Sequence, residues 1–213
     1  MEWPLLERLP PEDVRRVLAA ARRRSFGRNE VIFHEGDPAD TILLISKGRV
    51  LVRTTTPLGH AAALQVLGPG TFVGELALLG GPAVRSATAI ALETTEAMAV
   101  HKDTFAELRA QHPAVTEILI QILADTVRRQ NQQLLEALYV SADTRVRRRV
   151  LELLESYGSD TIPLTQEDLA GLAGTTRATV NRVLRDEEKR GSLTLSRGRV
   201  TVTDAGAIAK RAT

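Results

Sequence analysis

The chain has 213 residues, enough for one large or two smaller domains, and its 43% hydrophobic and 25% charged residues are the proportions of an ordinary globular protein. It contains no cysteine, which excludes disulfides, thiolate metal sites, cysteine-ligated iron–sulfur clusters and cysteine nucleophiles. The net charge is +2, and residues 141–213 are the basic part, with 13 Lys and Arg against 10 Asp and Glu. No run of about 18 apolar residues occurs and an acid follows Met1, so we expect no membrane span, no signal peptide and a cytoplasmic location.

The first half of the chain changes from a helical to a strand pattern near residue 26. Residues 11–24 predict a short amphipathic helix, with Val14 and Leu18 on its apolar side. Short apolar runs then alternate with glycine-containing turns as far as residue 100, which is typical of an antiparallel β-barrel or roll. The predicted strands are residues 31–33, 41–45, 50–52, 61–66, 86–92 and 97–100, and the turns are residues 36–37, 47–48, 58–59, 68–70 and 80–82.

A polar cluster interrupts the strand region at Gly74-Glu75-Leu76 and again at Arg85-Ser86. The carboxylate of Glu75 can accept hydrogen bonds from sugar hydroxyls. The Arg85 fork, the Ser86 hydroxyl and free backbone N–H groups suit a phosphodiester. We therefore predict a sugar-phosphate pocket here. The alternative is that Glu75 is an ordinary exposed acid and Arg85 its surface ion-pair partner.

Helix returns at residue 102, and a long helix is predicted over residues 113–139. Two sets of residues spaced seven apart interleave along it: Ile120, Val127 and Leu134, and Ala124, Asn131 and Leu138. This pattern predicts the seam of a two-stranded coiled coil, in which one polar Asn lowers stability but fixes the register. We expect a homodimer; packing of the helix on its own domain is the alternative. Residues 141–143 form a predicted hinge before another helix over residues 144–157.

The C-terminal part has the spacing of a helix-turn-helix. Thr165 is a suitable helix N-cap with Asp168 at the capping-box position, and Gly174 supplies the turn before a second helix over residues 176–189. Residues 193–195 and 200–202 then predict a β-hairpin wing.

The second helix of this motif presents polar side chains near its N-terminal end, where recognition helices meet base edges. Arg is the usual bidentate partner of guanine, and helix N-termini favour phosphate. The predicted DNA-binding residues are Thr165, Thr176, Arg177, Ala178, Thr179, Asn181 and Arg182, with Arg197 and Arg199 at the tip of the wing. The alternative is a winged-helix domain that binds protein and whose arginines are merely solvated.

These segments resemble the cyclic AMP receptor protein and fumarate–nitrate regulator superfamily along nearly the whole chain. The resemblance lies in residues 70–76, in Arg85-Ser86-Ala87, in the long helix and in residues 174–184. It implies an α+β fold with three parts. These are an N-terminal antiparallel β-roll that binds a cyclic nucleotide (residues 1–112), a dimerisation helix (residues 113–140) and a winged helix-turn-helix (residues 141–213).

The resemblance also implies roles for individual residues. Glu75 would accept from the ribose 2′-hydroxyl, and Arg85 with Ser86 would hold the cyclic phosphate. Gly74 and Leu76 would contribute backbone or packing contacts. The implied partners are a pseudo-palindromic DNA operator, a second copy of the chain and RNA polymerase, and no cofactor or metal is implied.

Two departures from the family bear on specificity. The family meets adenine with two hydroxyl residues of the long helix, one from each subunit, and Gln130 and Asn131 stand at those positions here. Their amides can pair with adenine, although the neighbouring Arg128 and Arg129 leave cyclic GMP open. In the recognition helix Ala178 replaces a Glu of relatives that read TGTGA, so one base is expected to be read weakly or through a thymine methyl group.

The leading hypothesis is a dimeric transcription regulator switched by cyclic AMP, and not an enzyme. The second is a regulator of the same fold with cyclic GMP, cyclic di-GMP or no effector. The third is a cyclic-nucleotide phosphodiesterase, which the sequence disfavours because no His and Asp cluster for a metal and no general acid–base pair stands out.

Overall fold

A computed structural model describes residues 3, 6, 7, 9–55, 61–78 and 84–213. Contacts divide the chain into two compact units. The first comprises Met1–Thr54 and Gln65–Arg128, and the second comprises Thr55–Leu64 and Arg129–Thr213. None of the helices in the described ranges is both long and apolar enough to cross a membrane.

Helices and strands occur in separate runs along the chain, as in an α+β protein. The helices are α1 (Pro11–Ala20), α2 (Lys102–Gln111), α3 (Pro113–Tyr139), α4 (Ala142–Tyr157), α5 (Gln166–Leu172), α6 (Arg177–Lys189) and α7 (Ala205–Lys210), and a short 3-10 helix spans Glu75–Leu78. The strands are β1 (Arg22–Phe26), β2 (Val31–Phe33), β3 (Thr41–Lys47), β4 (Val50–Thr55), β5 (Ala61–Leu67), β6 (Phe72–Val73), β7 (Thr88–Ala91), β8 (Thr95–His101), β9 (Thr161–Ile162), β10 (Leu193–Ser196) and β11 (Arg199–Val202).

Strands β1 to β8 form two four-stranded sheets, in the orders β1-β8-β3-β6 and β2-β7-β4-β5. The pairings of β8 with β1 and β3, of β3 with β6, and of β7 with β2 and β4 are all antiparallel. One apolar cluster contains buried residues of both sheets, among them Ile45 of β3, Val50 of β4 and Ala91 of β7. The predicted antiparallel β-roll is therefore confirmed.

Strand β3 is buried on both faces, which explains its continuous apolar run. Leu43 and Ile45 belong to the cluster between the sheets, whereas Ile42 and Leu44 point the other way, as alternate strand residues must. This second face packs against helices, through residues such as Val17 of α1, Phe105 and Leu108 of α2, and Val115 and Leu119 of α3.

The prediction of helix as far as residue 24 is wrong at its end. Helix α1 stops at Ala20, and Ala21 is already extended with φ −74° and ψ 145°. The arginines that follow belong to β1, a sheet-edge strand in which only Phe26 is buried. An edge strand with so many exposed side chains lacks the alternation that distinguishes strand from helix in a sequence. The predicted turns at residues 58–59 and 80–82 lie outside the described residues.

In the second unit the helix-turn-helix is confirmed in its details. Thr165 caps α5 with a full capping box to Asp168, and Thr176 caps α6. Gly174, with φ +59°, occupies the turn between the two helices. The predicted wing is the hairpin β10–β11, and β9 adds a third strand to it.

A buried carboxylate stabilises the second unit. Glu187 of α6 is 1% exposed and accepts hydrogen bonds from Arg147 of α4 and from Arg211, which follows α7. Burial alone would raise the pKa of Glu187, but the hydrogen bonds from Arg211 and Arg147 outweigh it and lower the pKa from 4.5 to about 2. Glu187 is therefore ionised at neutral pH and connects three segments of the unit.

Candidate nucleotide pocket and nucleic-acid interface

The segment Gly74-Glu75-Leu76 follows β6 directly and turns sharply away from the sheet. Gly74 makes the turn with φ +87°, a left-handed conformation that favours glycine. Glu75 begins the 3-10 helix, whose last two residues, Ala77 and Leu78, are buried and anchor it. Glu75 is half-buried and Leu76 is exposed, so the 3-10 helix presents both residues at the surface of the roll.

Arg85 is buried rather than solvated, which argues against the alternative of a surface ion pair. Its Nη1 donates to the carbonyl oxygen of Thr41 at 2.7 Å, and its Nη2 donates to the Thr41 hydroxyl at 2.9 Å. The guanidinium carbon lies 4.2 Å from the centre of the Phe33 ring. The Nε atom is buried and has no hydrogen-bond partner among the described residues.

Gly74 and Arg85 are packed against each other. A Cβ atom at position 74 would overlap Arg85 Nη1 and would lie 3.1 Å from the Thr41 carbonyl oxygen. Glycine is therefore needed at position 74 both for the backbone angle and for the space that the guanidinium occupies.

The environment of Arg85 leaves its positive charge incompletely compensated. Burial lowers the pKa of Arg85 below its ordinary value. The carboxylates of Asp40, Asp37 and Glu75 act in the opposite direction without offsetting the burial. A buried guanidinium in this condition would be stabilised by an anion that supplied the missing hydrogen bond.

The backbone around Arg85 is held in place, whereas the next side chain is open. The Arg85 N–H donates to the Asp37 carbonyl oxygen at 2.8 Å, and the Gly36 N–H donates to the Arg85 carbonyl oxygen at 2.8 Å. Ser86 is exposed. The structure thus brings Gly74, Glu75 and Arg85 together, with Ser86 adjoining them in sequence.

Gln130 and Asn131 belong to the second unit, on the C-terminal part of α3, and both are exposed. Asn131 lies on the predicted seam between Val127 and Leu134, whose side chains are also exposed.

The predicted DNA-binding residues lie on the capped helices and the wing of the second unit. Thr165, Thr176, Arg177, Ala178, Asn181, Arg182, Arg197 and Arg199 are exposed, and Thr179 is half-buried. A cleft of about 460 Å³ lies between the start of α5, the start of α6 and the wing. Thr165, Arg177, Asn181, Arg197 and Arg199 line it. These two helices and the wing therefore present a surface with three arginines around one cleft, which Leu164, Val200 and the acidic Glu167 also line.

Two side chains of α6 are held by partners that the sequence analysis did not single out. Arg182 forms a two-point ion pair with Asp143 of α4, in which Nη1 lies 3.0 Å from Oδ2 and Nη2 contacts Oδ1. Asn181 donates to the side-chain oxygen of Gln166 at 3.0 Å. No described residue forms a hydrogen bond or an ion pair with the side chain of Arg177.

The signals for these partners were weak. Asp143 lies 39 residues before Arg182, and in the sequence it is simply an acid in the predicted hinge. Thr41 and Phe33, which hold Arg85, belong to strands with no distinctive motif. Gln166 directly follows the helix cap Thr165, which is the one cue that could have identified it.

Two family matches coincide with these two sites. Residues 23–112 match the cyclic nucleotide-binding domain, and residues 144–211 match the Crp-like helix-turn-helix domain. The protein named CRP-like cAMP-activated global transcriptional regulator in Mycobacterium tuberculosis is 31% identical over 194 residues, which cover 88% of this chain and 86% of that protein.

Relatives from Thermus thermophilus are similar over more of the chain. Its cyclic AMP receptor protein is 33% identical over 205 residues, which cover 96% of this chain and 94% of that protein. The crystal structure of the Thermus thermophilus catabolite activator protein aligns with this chain with a TM-score of 0.57. The alignment covers 98% of each chain, and the two sequences are 33% identical.

The matches establish a DNA-binding regulator with a cyclic nucleotide-binding domain. The regulators of this family are not enzymes, which excludes the phosphodiesterase hypothesis. Residues 70–76, 85–87 and 174–184, which resemble the family in sequence, thus lie in the two matched domains. The chain belongs to the cyclic AMP receptor protein and fumarate–nitrate regulator superfamily of transcription regulators.

Proposed function

We propose that this protein is a homodimeric transcription regulator whose binding to a pseudo-palindromic operator is switched by a cyclic nucleotide, with cyclic AMP as the effector. Residues 1–112 form its nucleotide domain, residues 113–140 its dimerisation helix and residues 141–213 its DNA-binding domain. The observation that carries the proposal is the buried guanidinium of Arg85, which lies against Gly74 and whose Nε has no hydrogen-bond partner among the described residues.

The cyclic phosphate is the group that fits this donor. A phosphodiester anion next to Arg85 would offset the burial of its charge and supply an acceptor for Nε, which has none among the described residues. Ser86 donates its exposed hydroxyl to the same phosphate. Glu75 accepts a hydrogen bond from the ribose, while Gly74 and Leu76 bound the site.

The base is read by amides rather than by hydroxyl groups. Gln130 and Asn131 can each donate to N7 and accept from N6 of adenine, a pairing that guanine does not offer. The names of the relatives in Mycobacterium tuberculosis and Thermus thermophilus refer to cyclic AMP, which supports the same choice. Cyclic GMP and cyclic di-GMP remain the rival effectors.

The exposed stripe of α3 supports the dimer. Ile120, Val127, Leu134 and Leu138 are 60%, 54%, 58% and 64% exposed, although all four are large and apolar. Ala124 and Asn131 complete the two sets of heptad positions. A second copy of the helix would cover this stripe, and the polar Asn131 in its middle would fix the register of the two helices.

The basic surface of the second unit is the proposed DNA interface. Arg177 and Arg182 read guanines in the major groove, while the capping threonines and the wing arginines contact phosphates. Two such helices in a two-fold dimer meet half-sites about 34–36 Å apart. Bound near a promoter, such a regulator would have RNA polymerase as its partner.

Calorimetry of the purified protein with cyclic AMP, cyclic GMP and cyclic di-GMP in parallel tests the proposal. We expect cyclic AMP to bind most tightly, and Arg85→Ala to weaken it at least about tenfold through loss of a charge-assisted hydrogen bond. Arg23→Ala, which removes an exposed arginine from edge strand β1, is the matched control and should bind like the wild type. Equal affinity of Arg85→Ala and wild type would contradict the phosphate site, and tightest binding of another nucleotide would contradict the effector.

A further inference from the structure

Arg177 and Arg182, the two residues of α6 predicted to read guanine, differ in their side-chain contacts. Arg177 is exposed, and no described residue bonds to its side chain. The Arg182 side chain is 62% exposed but is engaged at both terminal nitrogens by one carboxylate, that of Asp143. Asp143 is two residues after the N-cap of α4, and its own side chain is 33% exposed.

In this ion pair each residue stabilises the charged form of the other. The hydrogen bond from Arg182 is the largest cause that lowers the pKa of Asp143. The same bond is the largest cause that raises the pKa of Arg182. Both groups are therefore ionised at neutral pH, and in this structure Asp143 is the partner of Arg182.

The pair occupies the edge of Arg182 that a base would use. A carboxylate bonded to Nη1 and Nη2 uses the same parallel pair of donors that guanine O6 and N7 accept in bidentate readout. One edge cannot serve both acceptors at once. A guanine read through Nη1 and Nη2 must displace Asp143, whereas Arg177 has no such competitor among the described residues.

The displacement is feasible because Asp143 keeps other favourable interactions after Arg182 leaves. It lies in the first turn of α4, where the helix dipole stabilises a negative charge. Arg147, one turn further along α4, also lowers the pKa of Asp143. An ion pair with one partner mostly exposed is also weaker than a good bidentate contact to guanine.

We propose that Asp143 is a positioning residue for base readout, which competes with guanine for Arg182 and so lowers the affinity of the recognition helix for DNA. This inference rests on the proposed DNA interface. Asp143 keeps Arg182 from binding phosphates and other bases, and Arg182 leaves Asp143 only where a guanine replaces the carboxylate.

A double-mutant cycle with an operator selected from random DNA by the wild-type protein tests the competition. Operator binding is measured by fluorescence anisotropy, at fixed salt and saturating cyclic AMP, for wild type, Asp143→Asn, Arg182→Ala and the double variant. We expect Asp143→Asn to bind about two- to fivefold more tightly than the wild type, the range that an exposed pair allows. In the Arg182→Ala background the same change should have less than about a 1.5-fold effect.

Glu152→Gln is the matched control for charge, because it removes another partly exposed carboxylate from the same helix α4. It should change operator affinity less than about 1.5-fold, since Glu152 pairs with Arg149 and not with Arg182. Two results would overturn the proposal: Asp143→Asn tightens operator binding even without Arg182, or Glu152→Gln tightens it as much. Either would mean that the loss of a negative charge near the DNA, and not the release of Arg182, causes the effect.

Two further outcomes separate this inference from the function on which it rests. If Asp143→Asn binds the operator more weakly than the wild type or equally well, Asp143 does not compete with guanine and only the inference fails. If the wild-type protein selects no palindromic motif, the DNA interface itself is wrong and the inference fails with it.

Discussion

Gly74 and Arg85 contact each other so closely that the residue at position 74 decides where the guanidinium lies. Gly74→Ala imposes the strain of a left-handed backbone and places a Cβ atom on Arg85 Nη1. We expect cyclic AMP affinity to fall about tenfold, because the guanidinium that meets the phosphate is displaced. Calorimetry measures this loss.

Gly36 supplies the control for backbone strain alone. It has the same φ of +87°, but a Cβ atom there would meet nothing within 4 Å. Gly36→Ala should therefore lower thermal stability through backbone strain, though less than Gly74→Ala, which adds the overlap with Arg85, and should leave nucleotide affinity within about twofold of the wild type. Equal losses of affinity in the two variants would show that strain, rather than the Arg85 contact, is responsible.

Gln130 and Asn131 determine, in the proposed site, which base is accepted. Replacing both with Ala should erode the preference for cyclic AMP over cyclic GMP more than it weakens binding of either nucleotide, because the amides contact only the base. Parallel calorimetric titrations give the ratio of the two affinities. Sedimentation must show an intact dimer, since Asn131 is also on the seam. An unchanged ratio in an intact dimer would place base recognition elsewhere.

Among the elements, α6 is attached to its neighbours by the buried carboxylate of Glu187. The pKa of this group is 4.5 ordinarily and about 2 in the folded protein. A carboxyl group whose pKa is lower in the folded protein than in the unfolded chain stabilises the folded protein at pH values above the unfolded pKa. This stabilisation is lost as pH falls from about 4.5 toward 2. The full contribution is about 3 kcal/mol at neutral pH.

Glu187→Gln should therefore lower the free energy of unfolding most at neutral pH, where the charged pair with Arg211 and Arg147 is complete. The difference between wild type and variant should narrow between pH 4.5 and pH 3, because the Glu187 carboxylate of the unfolded chain takes up a proton there while that of the folded protein stays ionised. Urea unfolding of both proteins at several pH values measures this difference in the free energy of unfolding. A difference that stayed constant with pH would mean that the charge of Glu187 is not what stabilises the unit.

The exposed stripe of helix α3 gives a prediction about assembly. Leu134→Lys should convert the proposed dimer to a monomer at micromolar concentration. It removes from each copy a leucine that the dimer would bury and places two like charges at the seam, which should weaken association at least about 100-fold. Sedimentation velocity measures the oligomeric state. Gln132→Lys adds the same charge off the seam and should leave the dimer intact; a dimeric Leu134→Lys protein would contradict the seam.

The elements that the sequence predicted well are those with strong local signals. Helix α3 has a sustained apolar period, and α5 and α6 have capping threonines and a glycine turn between them. Strands β6 and β9 are two residues long, too short for any period to show. The partners of functional side chains were missed for a different reason: Thr41 and Arg85, like Asp143 and Arg182, are about 40 residues apart and meet only through tertiary packing.

At the scale of the whole molecule, a ligand can control DNA binding only if it has different affinities for the states that bind DNA and those that do not. By linkage, any factor by which cyclic AMP strengthens operator binding must also be the factor by which the operator strengthens cyclic AMP binding.

The most direct test of this account is the affinity of the wild-type protein for its selected palindromic operator, measured by anisotropy with and without saturating cyclic AMP at one salt concentration. We predict that cyclic AMP tightens binding at least about tenfold, within the usual range of allosteric coupling, and that cyclic GMP at the same concentration does so less. Operator affinity that is unchanged by every cyclic nucleotide would contradict the account.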